Sequence, residues 1–453
     1  MTDFPVLPAD FTYGVATAAY QVEGAVDEGG RGRSIWDTFC AEPGRIRNGD
    51  TAAVACDHYH RHAEDVGLMA QLGVDVYRFS VAWPRIQPDG SGPANAEGLD
   101  FYDRLVDELL AAGITPAATL YHWDLPQALQ DAGGWLSRDT SHRLAEYADL
   151  VARRLGDRVG LWMPLNEPVV VTMFGHALGT HAPGLALGFD ALPVVHHLLL
   201  GHGLAVEALR GAGVDRIGIA SNHQPAWAAS ADPADRDAAD LLGTLTNWLF
   251  ADPVLRGAYP EGFADAMPGP VAEDLAVISA PLDWYGVNYY QPVLVGAPGR
   301  GGAGSPALEG AVAAGLPFEP MQIPDVPTTD FGWAIVPDGL REMLVALRDR
   351  YGDALPPLYV TESGCSFHDV VGADGRVADQ ARIDYHDAHL RAVADAIAAG
   401  VDVRGYFAWS LLDNFEWAEG YAERFGLVHV DYDTLARTPK ESFHWFRRLL
   451  AAR

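Results

Sequence analysis

The sequence predicts an α/β fold, a single (β/α)8 TIM barrel with its active site at the C-terminal ends of the strands, and three observations predict it. Short apolar runs rich in β-branched and aromatic residues recur along the 453 residues. Longer segments with helical periodicity fill the intervals between them. Polar and aromatic residues that break the apolar pattern fall at or just after the ends of the runs, which in a barrel converge on one mouth.

The runs come in order. FTYGVATAAY (11–20) is followed by Gln21, VDVYRFSV (74–81) contains Arg78, and ITPAATLYH (114–122) ends on His122. VGLWMPLN (159–166) leads into Glu167, RIGIASN (216–222) ends on Asn222, and DWYGVNYY (283–290) ends on Tyr290. PLYVTES (357–363) carries Glu362 and RGYFAWSL (404–411) carries Trp409. Between them lie helical patterns such as AEGLDFYDRLVDELLAAG (96–113), closed by the glycine expected of a helix C-cap. The glycine- and alanine-rich GAPGRGGAGSPALEGAVAAG (296–315) reads as a long loop after the sixth strand, because the strand–helix rhythm resumes beyond it. Length alone would allow two or three domains, but barrels run this long as one, so one catalytic domain over 1–453 is expected.

Composition narrows the function. With 49% hydrophobic and 20% charged residues the chain reads as an ordinary soluble globular protein. We find no apolar run near twenty residues, hence no expected membrane span, and the start MTDFPVLPADF lacks the basic and apolar regions of a secretory signal. Cys40, Cys56 and Cys365 are too few and too scattered for a disulfide framework or zinc cluster, and they suit a reducing cytoplasm. A formal charge of −30 argues against nucleic acid or anionic membrane as partner. Lys440 is the only lysine, which reads as coding bias and not as a binding patch.

Within GLWMPLNEPVVVTMF (160–174), Asn166 and Glu167 are the only strongly polar side chains. An acidic residue there either caps the helix that follows or holds a carboxylate where an apolar setting makes its shifted pKa useful. Glu362, in YVTESG, follows an apolar strand in the same manner. On strands four and seven the two point at each other across the mouth. About 5 Å apart, one serves as nucleophile and the other as acid/base, the retaining glycosidase arrangement. One of two such neighbours titrates higher and stays protonated, while Arg78 would hold Glu362 ionised. Trp123, Trp333, Trp409 and Trp417 suit the same chemistry, because aromatic faces stack on sugar rings, although a single Trp is more often a core residue.

Ten segments carry a family resemblance: FTYGVATAAYQVEGA (11–25), RSIWDTF (33–39), VYRFSVAWPRI (76–86), GLDFYDRLVDELL (98–110), LYHWDLPQAL (120–129), LNEP (165–168), GVNYY (286–290), YVTESG (359–364), WSLLDNFEW (409–417) and RFGLVHVDY (424–432). Together, in this order, they resemble the β-glycosidases of glycoside hydrolase family 1 over nearly the whole chain. The resemblance implies a retaining β-glucosidase-like enzyme acting on small β-glycosides and oligosaccharides without metal or cofactor. It implies Glu167 as acid/base, Glu362 as nucleophile, Asn166 on the sugar 2-hydroxyl and Tyr290 on the nucleophile. Gln21, His122 and Glu416 would bind the remaining hydroxyls, Trp409 would form the stacking floor with Trp417 nearby, and Trp333 would line the aglycone side.

Two positions depart from the family pattern. Pro164 stands where threonine is usual and lacks the N–H that a barrel strand donates, so strand four is expected to be irregular. Ser363 replaces the usual asparagine after the nucleophile. Two other readings share the fold. A 6-phospho-β-glycosidase typically has serine in place of the acid at 416 and a lysine for the phosphate, whereas here Glu416 would repel it. A catalytically silent sugar-binding barrel would normally have lost one glutamate. Preference among glucose, galactose and fucose, and the oligomeric state, stay open.

Other motifs take plainer readings. Of His58, His60 and His62 only the i, i+4 pair shares a helix face, so surface or packing histidines are expected and not a metal site. His196, His197 and His202 sit in an apolar helical run as packing residues, and Cys365 reads as a small buried packing residue. GRGGAG (299–304) lacks the strand and helix that a phosphate loop requires.

Overall fold

Eight short strands, almost all of their residues buried, pair in parallel: β1 (Thr12–Ala16), β2 (Val76–Ser80), β3 (Thr115–Tyr121), β4 (Leu161–Leu165), β5 (Ala220–Asn222), β6 (Tyr285–Asn288), β7 (Leu358–Ser363) and β8 (Val403–Trp409). The computed structural model describes residues 4–300 and 315–453. The strand order is β4-β3-β2-β1-β8-β7-β6-β5, so every strand lies beside its sequence neighbours and β1 pairs with β8. The ends of the sheet meet where β4 faces β5, through isolated bridges at Trp162–Ile217 and Asn166–Ala220. The result is a nearly closed (β/α)8 barrel.

Pro164 lies within this seam. The Trp162 N–H donates to the Arg216 carbonyl at 3.2 Å and the Glu167 N–H to the Ala220 carbonyl at 2.8 Å. Alternate residues of a strand face the same edge, so Pro164, two beyond Trp162, also faces β5. Its missing N–H falls between the two bridges, while the other edge of β4 pairs with β3 from Leu161 to Leu165. The ladder with β3 is interrupted at the same residue, passing from the Thr119–Met163 pair to the Tyr121–Leu165 pair, so strand four is irregular on both edges at Pro164.

Val76, Ala117, Leu161, Met163, Tyr359 and Phe407 form one buried cluster of strand residues, and helices pack around the sheet. The helix Ala96–Ala111 ends as the sequence predicts, with Gly113 in the left-handed region at φ 74° and the Ile114 N–H returning to Leu109 at 2.9 Å. The helix Gly188–Gly211 corrects the expectation that no run is apolar enough for a membrane. Its mean hydropathy of 1.3 would suffice, yet 72% of the stretch is buried in the fold, where Leu192–Gly211 packs on the helix Asp139–Leu155. That burial identifies a core helix. The glycine-rich loop is flanked by an antiparallel pair, Val293–Gly296 and Glu319–Met321. Its centre, including most of GRGGAG, lies outside the described residues.

Two local features aim the side chains at the mouth. In β7 the register shifts between Val360 and Glu362 against β6, and between Val360 and Ser363 against β8. Such bulges re-aim a side chain near active sites. Trp123, Glu167 and Trp417 each hold positive φ, at 78°, 45° and 48°. Bulky residues take that region only where the surroundings impose it, and such strain collects at functional sites.

Candidate active site

Glu362 sits near the end of β7, 2% exposed, between two donors. The Arg78 Nη1 donates to its Oε1 at 2.5 Å and the Tyr290 hydroxyl to its Oε2 at 2.7 Å. Arg78 lies in the middle of β2, not at its end as the sequence reading had it. The long side chain makes up the difference, reaching from the barrel interior to Glu362 and, with Nη2, to Asn166 Oδ1 at 2.6 Å. Burial raises the Glu362 carboxyl, and Arg78 and Tyr290 oppose that rise.

Glu167 follows β4 and precedes the apolar helix Pro168–Leu178. It occupies the position of an N-cap, but its side chain makes no capping bond and its backbone is left-handed, so the capping reading is set aside. Instead Oε1 accepts from Asn288 Nδ2 at 2.8 Å and from Asn222 Nδ2 at 3.4 Å. Burial first, and the charge of Glu362 second, push the Glu167 carboxyl up to about 8. Because both amides donate to Oε1, that atom is the carbonyl oxygen of the acid, and Oε2 carries the proton.

Asn288 joins the two glutamates, and sequence reasoning missed it. Its Oδ1 accepts from the Thr361 hydroxyl at 2.6 Å and its Nδ2 also donates to Asn166 Oδ1 at 2.9 Å; because the donor-only Arg78 identifies that atom as oxygen, the second bond fixes the Asn288 amide orientation. Glu362, Arg78, Asn166, Asn288 and Glu167 thus form one buried chain of hydrogen bonds. The signal was present in GVNYY, an asparagine at the end of an apolar strand, as Asn166 is.

The same logic assigns His122. With Asn166 Oδ1 taken by Arg78 and Asn288, Asn166 Nδ2 donates to His122 Nε2 at 3.1 Å, so the proton of His122 sits on Nδ1. Burial and then Arg78 keep the ring neutral, far below the ordinary histidine range. The Trp123 indole donates to the Asn166 carbonyl at 3.0 Å.

His122, Trp123, Glu167, Asn222, Tyr290, Trp333, Glu362, Trp409, Glu416 and Trp417 line one cavity. Gln21, in a short helix beyond β1, stands behind that wall with Arg78 and Asn166. Its Nε2 donates to the Phe415 carbonyl at 2.8 Å and contacts Glu416 Oε2 at 3.4 Å, and its buried Oε1 has no partner among the described residues. Burial and then Glu423 raise the Glu416 carboxyl well above its usual range. Trp417 packs on Trp123 at 4.6 Å, and Trp333 stacks on Phe331 at 4.6 Å. Phe331, Phe425, His181 and Met173 also reach the cavity and were not singled out from sequence; the three apolar ones carry no mark that separates a wall from a core, and His181 lies outside any strand end.

The remaining candidates sit apart from the cavity. His58 is buried on Asp65, His60 lies between Asp57 and Glu28, and His62 takes Glu108, so no two of them share a partner. His196 bonds Tyr259 and Asp274. Cys365 is buried and its thiol is pushed up to about 12 by burial. Ser363 is buried, with its hydroxyl 3.3 Å from that of Tyr385.

Comparison with known proteins places the chain in a family. The family model Glycosyl hydrolase family 1 matches residues 4–453. The chain is 51% identical to thermostable β-glucosidase B of Thermobispora bispora, over 97% of this chain and 89% of that one. The structure of the psychrophilic β-glucosidase BglU from Micrococcus antarcticus superposes with a TM-score of 0.93 at 47% identity, covering 98% and 97% of the two chains. The family 1 β-glucosidase from Thermotoga maritima superposes with a TM-score of 0.92 at 44% identity, covering 99% of each. Fold, site and likeness converge: the chain belongs to glycosyl hydrolase family 1.

Proposed function

We propose that the chain is a retaining β-glucosidase that releases terminal β-D-glucosyl units from small glycosides and oligosaccharides, acting as one catalytic domain in the cytoplasm. The observation that carries this reading is the asymmetry of two coupled, buried glutamates. Arg78 and Tyr290 favour the ionised form of Glu362, while Glu167, its neighbour, stays protonated. Glu362 attacks the anomeric carbon as the glycosidic bond breaks, and Glu167 Oε2 gives its proton to the departing oxygen. Glu167, now a base, takes a proton from water, which attacks the glucosyl–Glu362 ester and frees the sugar. His122 and Glu416 hold sugar hydroxyls from the cavity wall, oriented from behind by Asn166 and Gln21, with Trp409 beneath the ring.

Two displacements at the anomeric carbon return its configuration. Proton NMR of the early reaction is expected to show β-glucose before mutarotation. α-Glucose appearing first would mean single displacement and would overturn the mechanism.

The pH dependence follows from the same asymmetry. kcat/KM should rise as Glu362 ionises and fall through about 8 as Glu167 loses its proton. A dinitrophenyl glucoside needs no protonation of its leaving group, so its alkaline limb should vanish. An equal alkaline limb for a poor and a good leaving group would assign that titration elsewhere.

A neutral sugar suits the site better than a phosphorylated one. Glu416 lines the cavity, and Lys440 is not there to bind phosphate: it is buried on Asp369 and Asp413.

A further inference from the structure

The helix that starts beside Glu167 separates two cavities. One face of Pro168–Leu178 lines the active site through Val169, Val170, Met173 and Phe174. Val169 and Met173 also line a second cavity behind the helix. Its other walls are apolar, among them Ala177, Leu192, Val195, Leu245, Leu249 and Phe250. Thr172 supplies a hydroxyl, but that group is spent on the Pro168 carbonyl at 2.9 Å. A cavity without free polar groups holds water poorly and apolar groups well.

The partition is unusual in its backbone as well. Val171–Leu178 and Thr244–Trp248 are both π-helical, a rare conformation that collects at functional sites. The second stretch puts Thr246 into the active-site cavity and Leu245 into the apolar one. Met173 is unbranched, with soft rotamers, so it can swing without moving the helix. The shared wall begins two residues after the acid that protonates the leaving group, so this side receives the aglycone.

We propose that the second cavity is an annex of the aglycone site, opened by rotation of Met173, and that it takes the distal methylenes of an alkyl aglycone. The annex then sets how the hydrolysis of alkyl β-glucosides depends on chain length. This rests on the glucosidase reading given above. In the reaction the glucosyl–oxygen bond breaks and the alcohol leaves with the Glu167 proton, whatever its chain length.

The test is kcat/KM for a series of alkyl β-D-glucosides from methyl to decyl, with 4-nitrophenyl β-D-glucoside as reference. In the wild type kcat/KM should climb beyond about butyl, by up to roughly fourfold for each methylene that enters the annex. Ala177→Phe fills the annex from its far side; it should flatten the climb and keep nitrophenyl glucoside turnover within about twofold. Met173→Ala removes the partition and should make the climb begin at a shorter chain, which keeps the proposal testable if Ala177→Phe does not fold. A flat series in the wild type, or a climb that persists unchanged in a folded Ala177→Phe, would overturn the annex. Failure of the wild type to hydrolyse the nitrophenyl glucoside at all would overturn the glucosidase reading instead.

Discussion

With Glu362→Ala, turnover of every β-glucoside is expected to fall by a factor on the order of 10⁴–10⁶, whatever the leaving group, because the ester forms on Glu362 itself. Glu167→Ala should behave differently. With a poor leaving group the loss should be about 10²–10⁴, the usual worth of a positioned acid. With a dinitrophenyl glucoside the enzyme should still be glucosylated and then stall, since the water lacks its base. Azide needs no base, so it should rescue Glu167→Ala and give the β-glucosyl azide. In Glu362→Ala azide should occupy the vacated space, attack the substrate directly and give the α-azide. The structure supplies the reason for the division: the amides of Asn288 and Asn222 meet Glu167 on one oxygen, whereas Glu362 faces a guanidinium and a phenol. The same azide anomer from both variants, or a loss in Glu167→Ala independent of leaving group, would sink the assignment.

Which residues could be read ahead of the structure follows from how each is positioned. Glu167, Glu362, His122, Asn222, Tyr290 and Trp409 lie at or within two residues of a strand end, so an apolar run interrupted by a polar or aromatic group betrays them. Arg78 acts from mid-strand through the length of its side chain, and Gln21 acts from a helix behind the wall. Both had been placed at or just after a strand end, and the structure puts one in mid-strand and the other in a helix. Asn288 was missed because its function is to connect two polar groups whose proximity exists only after the barrel closes. The π-helical turns have no residue pattern of their own, since they arise from how the helix is packed. The apolar stretch of Gly188–Gly211 shows the converse limit: composition alone cannot separate a core helix from a membrane span, and only its burial decides.

Lys440→Met should be among the most destabilising single substitutions in the chain, costing about 3–5 kcal/mol, the range for stripping one partner from a buried ion pair. Lys440 is fully buried and donates to Asp413 Oδ1 at 2.7 Å and to Asp369. Arg424 reaches Asp413 Oδ2 at 2.8 Å, and Arg382 bonds both Asp369 and Asp379. Three cations thus face three carboxylates. Burial alone would raise the Asp413 carboxyl, but Lys440 and Arg424 reverse that and hold it below the usual range. A carboxyl lowered in the folded state stabilises the fold above its unfolded pKa, and that contribution fades as pH falls through its folded value. Removing Lys440 leaves one negative charge without a cation, so the penalty should be full near neutrality and shrink in acid, where the carboxyl can protonate. Urea unfolding at two pH values measures both effects. Adding Asp369→Asn to Lys440→Met restores the balance of charge and should recover most of the loss, which a purely steric defect would not allow. The network also bears on catalysis, since Asp413 lies three residues before Glu416 and accepts the Gly426 N–H at 2.9 Å. It anchors the segment that carries Trp409, Glu416 and Trp417. A Lys440→Met unfolding free energy within about 1 kcal/mol of wild type, or a double variant no more stable than the single one, would show that the ion pairs do not hold this corner of the barrel.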